Sequence, residues 1–150
     1  MRRLLLIGLA LLAACALERL ALGPVTGDPA AIPLTVVDEL ASVAGPRDPV
    51  TLQNALVLGD TLRLEVSYGG GCRTHAFGLL VQRTFLETNP VQAPTALAHD
   101  DRDDPCDALV SRTLLVDLRP LREEYRRAYG AATGTLVLRF TSALLVAYTF

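Results

Sequence analysis

Leu62-Arg63-Leu64-Glu65-Val66-Ser67-Tyr68 alternates apolar and polar side chains without a break. A period of two puts every apolar side chain on one face of an extended chain, whereas a helix of 3.6 residues per turn would scatter them. The segment therefore predicts a half-buried β-strand, and the pattern extends in both directions. Upstream, Gly59-Asp60 punctuates the chain after a second apolar run, Thr51 to Leu58, which predicts a hairpin. Further strands are expected over Leu34 to Asp38, Thr74 to Phe85, Gln92 to His99, Arg112 to Leu118, Thr135 to Phe140 and Leu144 to Phe150, with a turn at Thr141-Ser142-Ala143. One segment departs from this rhythm: Pro120 suits the first turn of a helix, Leu121 to Tyr129 can continue it and Gly130 can close it. On that helix Glu123 is expected to face Arg127, and Arg122 to face Arg126, on a solvated side. Seven or eight short strands with one short helix predict an all-β fold, an antiparallel β-sandwich that is immunoglobulin-like in general shape.

Composition sets the bounds. The 150 residues carry a formal charge of −2, and every basic residue is arginine. That balance gives no electrostatic footprint for nucleic acid, so no nucleic-acid partner is expected. Hydrophobic residues make up 51% of the chain but aromatic ones only 5%, with no Trp. The core must be built from Leu, Val and Ala, and there is no aromatic platform for stacking sugars or bases.

The N-terminus has a distinct design. Met1-Arg2-Arg3 is a short positive segment, and Leu4 to Leu11 is apolar but too short to span a bilayer core of about 30 Å. Leu12-Ala13-Ala14-Cys15 follows, a leucine three places before a cysteine with two small residues between. This leader resembles those of bacterial lipoprotein precursors. The resemblance implies a signal peptide over residues 1–14, a diacylglycerol on the Cys15 thiol, cleavage before Cys15 and acylation of its new amino group by a palmitate-type chain. Two or three acyl chains on one residue give durable anchoring to a membrane, where one chain gives only marginal binding. Ala16 is not the aspartate linked to inner-membrane retention, so the resemblance implies an outer-membrane anchor facing the periplasm in a Gram-negative host. After cleavage 12 Arg would stand against 16 Asp plus Glu, a charge of −4. Residues 15–33 contain Gly23-Pro24, Gly27, Asp28-Pro29 and Pro33 and read as a lipidated N-terminus with a flexible tether; residues 34–150 read as a single sandwich domain.

Unusual residues concentrate on two segments, Tyr68-Gly69-Gly70-Gly71-Cys72-Arg73-Thr74-His75 and His99-Asp100-Asp101-Arg102-Asp103-Asp104-Pro105-Cys106-Asp107. If Thr74 to Phe85 and Gln92 to His99 form a hairpin turning near Glu87 to Pro90, His75 falls opposite His99, and Cys106 returns toward Cys72. With Cys15 spent on the lipid, an even pair of cysteines remains at an oxidising address, which predicts a Cys72 to Cys106 disulfide. The alternative takes Cys72, His75, His99 and Cys106 as a tetrahedral site for zinc or copper. The two readings exclude each other, because a disulfide uses both sulfurs. His75 shares a face with Phe77, Leu79 and Val81, which favours a packed, hydrogen-bonded histidine. The acidic run lacks the glycine and distal glutamate of an EF-hand and reads as a solvated loop. The two segments also resemble small uncharacterised bacterial envelope lipoproteins with a Gly-Gly-Cys-x-x-His segment and a later His and Asp-x-Cys, a resemblance that brings no activity with it.

No Gly-x-Ser-x-Gly elbow is present, and Ser42, Ser67, Ser111 and Ser142 stand without a base at recognisable spacing. Gly69-Gly70-Gly71 precedes no helix and the chain has no lysine, so it is no phosphate loop. The expectation is a lipid-anchored binding or structural module of the envelope, with no cofactor and an envelope protein as partner. Zinc or copper binding is the alternative, and an unrecognised hydrolase the third reading.

Overall fold

The structure, a computed structural model, describes residues 29–43, 47–141 and 143–150. The leader, Cys15 and the tether as far as Asp28 lie outside the described residues. In chain order the elements are β1 (Ala30–Ala31), β2 (Leu34–Val37), a 3-10 turn (Leu40–Ser42), β3 (Thr51–Leu58), β4 (Thr61–Gly70), β5 (Ala76–Gln82), β6 (Val91–Asp100), β7 (Ala108–Asp117), α1 (Arg119–Tyr129), β8 (Thr135–Arg139) and β9 (Leu145–Thr149).

The alternating stretch lies within β4, and its apolar residues do what a period of two requires. Leu62, Leu64 and Val66 are fully buried and Tyr68 nearly so, while Arg63 faces solvent. β4 lies inside a four-stranded sheet ordered β1-β7-β4-β3; the second sheet is ordered β2-β5-β6-β8-β9. Leu114 and Val116 of the first sheet meet Leu79, Val81, Leu136, Leu138, Val146 and Tyr148 of the second in one apolar core. Each fully buried side chain of this size contributes about 1.5–3 kcal/mol. The fold is thus all-β and sandwich-like, with the one short helix expected.

Four features differ from the sequence reading. Both sheets are mixed rather than purely antiparallel: β1 with β7, β2 with β5 and β6 with β8 pair in parallel. Alternation reports which face of a strand is buried but carries no information on the direction of its partner. The fold also begins before Leu34, because Ala30 and Ala31 pair with Leu114 and Leu115, and the Ile32 amide donates to the Leu115 carbonyl at 2.9 Å. Two alanines show no periodicity, so this stretch read as tether. β7 starts at Ala108 instead of Arg112, since it follows the long β4 in register from Thr61 opposite Asp117 to Gly70 opposite Ala108. Finally, Phe77 and not His75 stands opposite His99. The slip is two residues, an even number, so every side chain keeps its face.

Helix α1 has Pro120 in its first turn and closes on Gly130, whose φ of 66° is left-handed and whose amide donates to the Arg126 carbonyl at 2.8 Å. Leu121 is its buried residue. Its ion pairs step by three residues, Glu123 with Arg126 and Glu124 with Arg127. Arg122 turns instead to Asp60 in the β3–β4 turn, at 2.9 Å, where the Tyr148 hydroxyl also donates at 2.6 Å. No helix among the described residues is long and apolar enough to cross a membrane.

Candidate functional site

Because β4 and β7 pair as far as Gly70 and Ala108, the turn leaving β4 and the loop entering β7 emerge side by side. Cys72 and Cys106 come to a Cα separation of 5.8 Å and form a disulfide. Beneath it lies a carboxylate. Oδ2 of Asp104 accepts from three successive backbone amides, those of Gly71 at 3.0 Å, Cys72 at 3.0 Å and Arg73 at 2.8 Å, and contacts His75 Nε2 at 3.1 Å. Oδ1 accepts from the Cys106 amide at 2.9 Å. Three consecutive N–H groups converge this way only where the backbone folds into a nest, and Gly70 and Gly71, with φ of 151° and 117°, supply the turn. Gly70 is further constrained by what lies above it: a Cβ there would stand 2.6 Å from His75 Nε2 and 3.0 Å from Asp104 Oδ2.

The chain of contacts continues inward. His75 Nδ1 lies 2.8 Å from His99 Nε2, and His99 Nδ1 lies 3.2 Å from the Asp48 carbonyl oxygen. A carbonyl and a carboxylate only accept, so His99 Nδ1 donates to the Asp48 carbonyl and His75 Nε2 donates to Asp104. Tyr68 closes over His75 at a ring distance of 4.6 Å, and Phe77 stacks on His99 at 4.6 Å. The side chains of His75 and Asp104 are 0% and 1% exposed. Withdrawal from water alone would raise the Asp104 carboxyl. The amides of Cys106 and Arg73, the His75 ring and the Cys72 amide outweigh it and hold the group well below the ordinary carboxylate range.

The expected Cys72–Cys106 disulfide is formed, which sets aside its four-ligand alternative, and the solvated reading of the acidic run is corrected. With both sulfurs joined to each other, the set Cys72, His75, His99 and Cys106 does not stand as four ligands, and each of the four ring nitrogens already has a partner. The acidic run is not uniformly solvated either: Asp103 and Asp107 are exposed, but Asp104 is the buried centre of the cluster. Asp48, Asp100 and Asp101 bring one oxygen each within 4.8 Å of one another. Each of these carboxylates accepts from a nearby amide, that of Asp101, Arg102 and Asp103 respectively. Sequence reasoning placed the two cysteines and two histidines together and missed Asp104, Gly70 as a steric requirement, and Asp48. The signal for Asp104 was its place two residues before Cys106 in a loop facing three glycines; Asp48 offered none.

Outside the clamp, Arg73, Arg102, Asp103, Pro105 and Asp107 face solvent, and Leu109 is 80% exposed. The Arg73 guanidinium donates to the Arg102 carbonyl, tying the two loops together on the outer side as well. Arg102 and Asp103 adopt left-handed φ of 56° and 54°, uncommon for residues with a Cβ.

No protein-family model matches the chain, and no curated protein matches it by sequence. Solved structures do. A NigD-like immunity protein from Bacteroides caccae superposes with a TM-score of 0.54 at 17% identity, over 79% of this chain and 59% of its own. A protein described as a lipoprotein from Bacteroides fragilis superposes with a TM-score of 0.50 at 13% identity, over 81% of this chain and 70% of its own. At such identities the likeness is one of fold. This chain spans less than two thirds of the immunity protein's length.

Proposed function

We propose that the chain is a lipid-anchored module of the bacterial envelope that binds a protein partner through the clamped end of the sandwich. The observation that carries this reading is the closure of the clamp on itself. Asp104, His75 and His99 direct their polar atoms at one another and at backbone, which fixes three segments in place: Arg47 and Asp48, Gly70 to Arg73, and Asp100 to Cys106. This network engages Asp104 Oδ2 and all four ring nitrogens. It suits a rigid scaffold that presents outward side chains. The exposed charges are mixed, Arg47, Arg73 and Arg102 with Asp103 and Asp107, so the face fits a partner surface of both signs with an apolar socket for Leu109. Two neighbours in fold, one described as an immunity protein and one as a lipoprotein, accord with a partner-binding module at the envelope.

The lipobox-like leader supports anchoring through Cys15, with the outer membrane facing the periplasm as the address in a Gram-negative host. Site-specific photo-crosslinking in cells separates this reading from a purely structural one. A crosslinker at Leu109 should capture a discrete adduct, and the same group at Leu58, exposed at the opposite end of the sandwich, should not. Equal labelling from both positions, or from neither, would remove the binding face. For the anchor, Cys15→Ser should abolish both lipid labelling and globomycin-sensitive processing; normal labelling of that variant would overturn it.

A further inference from the structure

The disulfide and the carboxylate clamp do the same geometric job twice. Asp104 holds the Cys72 amide through Oδ2 and the Cys106 amide through Oδ1, so one buried side chain bridges the backbones of both cysteines independently of the sulfur bond. His75 and the Gly71 and Arg73 amides hold that carboxylate from behind. A disulfide acts chiefly by restricting the unfolded chain, and breaking it removes none of these contacts. The two sulfurs would then remain beside one another with a carboxylate between their backbones. A ligand oxygen of Asp104 and the two Sγ atoms already lie within 4.8 Å of one another. Oδ2 is saturated by four contacts, whereas Oδ1 accepts a single amide and keeps a lone pair.

We propose that the reduced form of this clamp is a binding site for a zinc-class divalent cation, with Cys72 Sγ, Cys106 Sγ and Asp104 Oδ1 as ligands and water in the fourth position. Two thiolates and a carboxylate suit a borderline-soft ion with tetrahedral preference, and hard ions such as calcium would be disfavoured. The geometry of the carboxylate is set by partners that take no part in binding, as ligand-orienting groups do. His75 is a positioning residue here: it fixes Asp104 and is itself fixed by His99 and the Asp48 carbonyl. The redox step is a thiol–disulfide exchange. A dithiol delivers two electrons and two protons, the Cys72–Cys106 bond breaks, and the dithiol leaves as its own disulfide; the cation then displaces both thiol protons. Cys72 is exposed, so the bond is open to such a reductant. The site would exist only in the reduced chain, which makes the clamped face sensitive to the state of the envelope's thiol pool.

Cobalt(II) titration of the full-length lipoprotein in detergent, before and after phosphine reduction, tests this. The expected result is one cobalt per chain only after reduction, with a near-ultraviolet band of two-thiolate intensity that zinc abolishes by competition. Cys106→Ser, which keeps the carboxylate clamp, should lose most of that band. Asp104→Asn should keep a thiolate band but bind at least roughly tenfold more weakly, and His75→Gln should weaken binding by roughly 10–100-fold without changing the band. Circular dichroism of the reduced, metal-free chain should match that of the oxidised one. Loss of the fold on reduction would overturn the proposal at its premise. So would failure of the folded, reduced chain to bind, equal binding by the oxidised chain, or an unchanged affinity in Asp104→Asn.

Discussion

Asp104 concentrates more of the structure than any other single side chain of the loop end, and its substitution is the sharpest probe of it. Its folded-state value lies below the ordinary 3.8. Its contribution to stability is therefore present above that value and drains away as the pH falls below it. Wild-type protein should lose stability on acidification over that window, and Asp104→Asn should be less stable at neutral pH and show a flatter acid limb; thermal unfolding against pH measures both. A limb of unchanged slope would show that the carboxylate is not the group responsible. Gly70 offers a second probe. Its φ of 151° and the 2.6 Å approach of His75 leave no room for a methyl group, so Gly70→Ala should destabilise by about 1–3 kcal/mol. The same change at Gly59 would meet nothing within 4 Å, though its φ of 57° is still left-handed, and should be milder. Chemical denaturation of the two variants side by side makes the comparison.

Among elements, α1 is held by a contact that its own sequence does not show. Arg122 looked like part of a solvated face, but Asp60 from the β3–β4 turn and Tyr148 from β9 form a small network with it. The Tyr148 hydrogen bond and Arg122 lower Asp60 against the upward push of its partial burial, while burial first, and then Asp60, raise the Tyr148 phenol well above its usual value. A raised tyrosine stabilises the fold below the unfolded value of about 10 and ceases to do so as the pH climbs past it. Tyr148→Phe should lower stability by about 1 kcal/mol at neutral pH, and should reduce the loss of stability seen at alkaline pH; a loss as steep as that of wild type would count against the assignment. Strands and helix were legible because burial imposes a period, and β3, β4 and α1 fall where alternation and caps put them. Pairing direction and the length of β7 were not, since both depend on partners far along the chain.

At the scale of the molecule, the site was legible as a neighbourhood and not as a mechanism. Cys72, Cys106, His75 and His99 do gather at one end, because an even register slip leaves faces unchanged. What joins them is a carboxylate that looked like one of several equivalent acids. Closing the loop between the cysteines, 34 positions apart, should stabilise the fold by about 3–4 kcal/mol on the chain-entropy view. Cys72→Ala should cost as much as the double variant with Cys106→Ala, since either removes the same link; equilibrium unfolding in denaturant would show a discrepancy if the thiols had separate roles. The direction of β1 bears on something else. It runs parallel to β7, with Ala30 beside Leu114 and Ala31 beside Leu115. A pull on the N-terminal end of β1 along the strand axis would load the β1–β7 bonds in shear rather than peel them one by one.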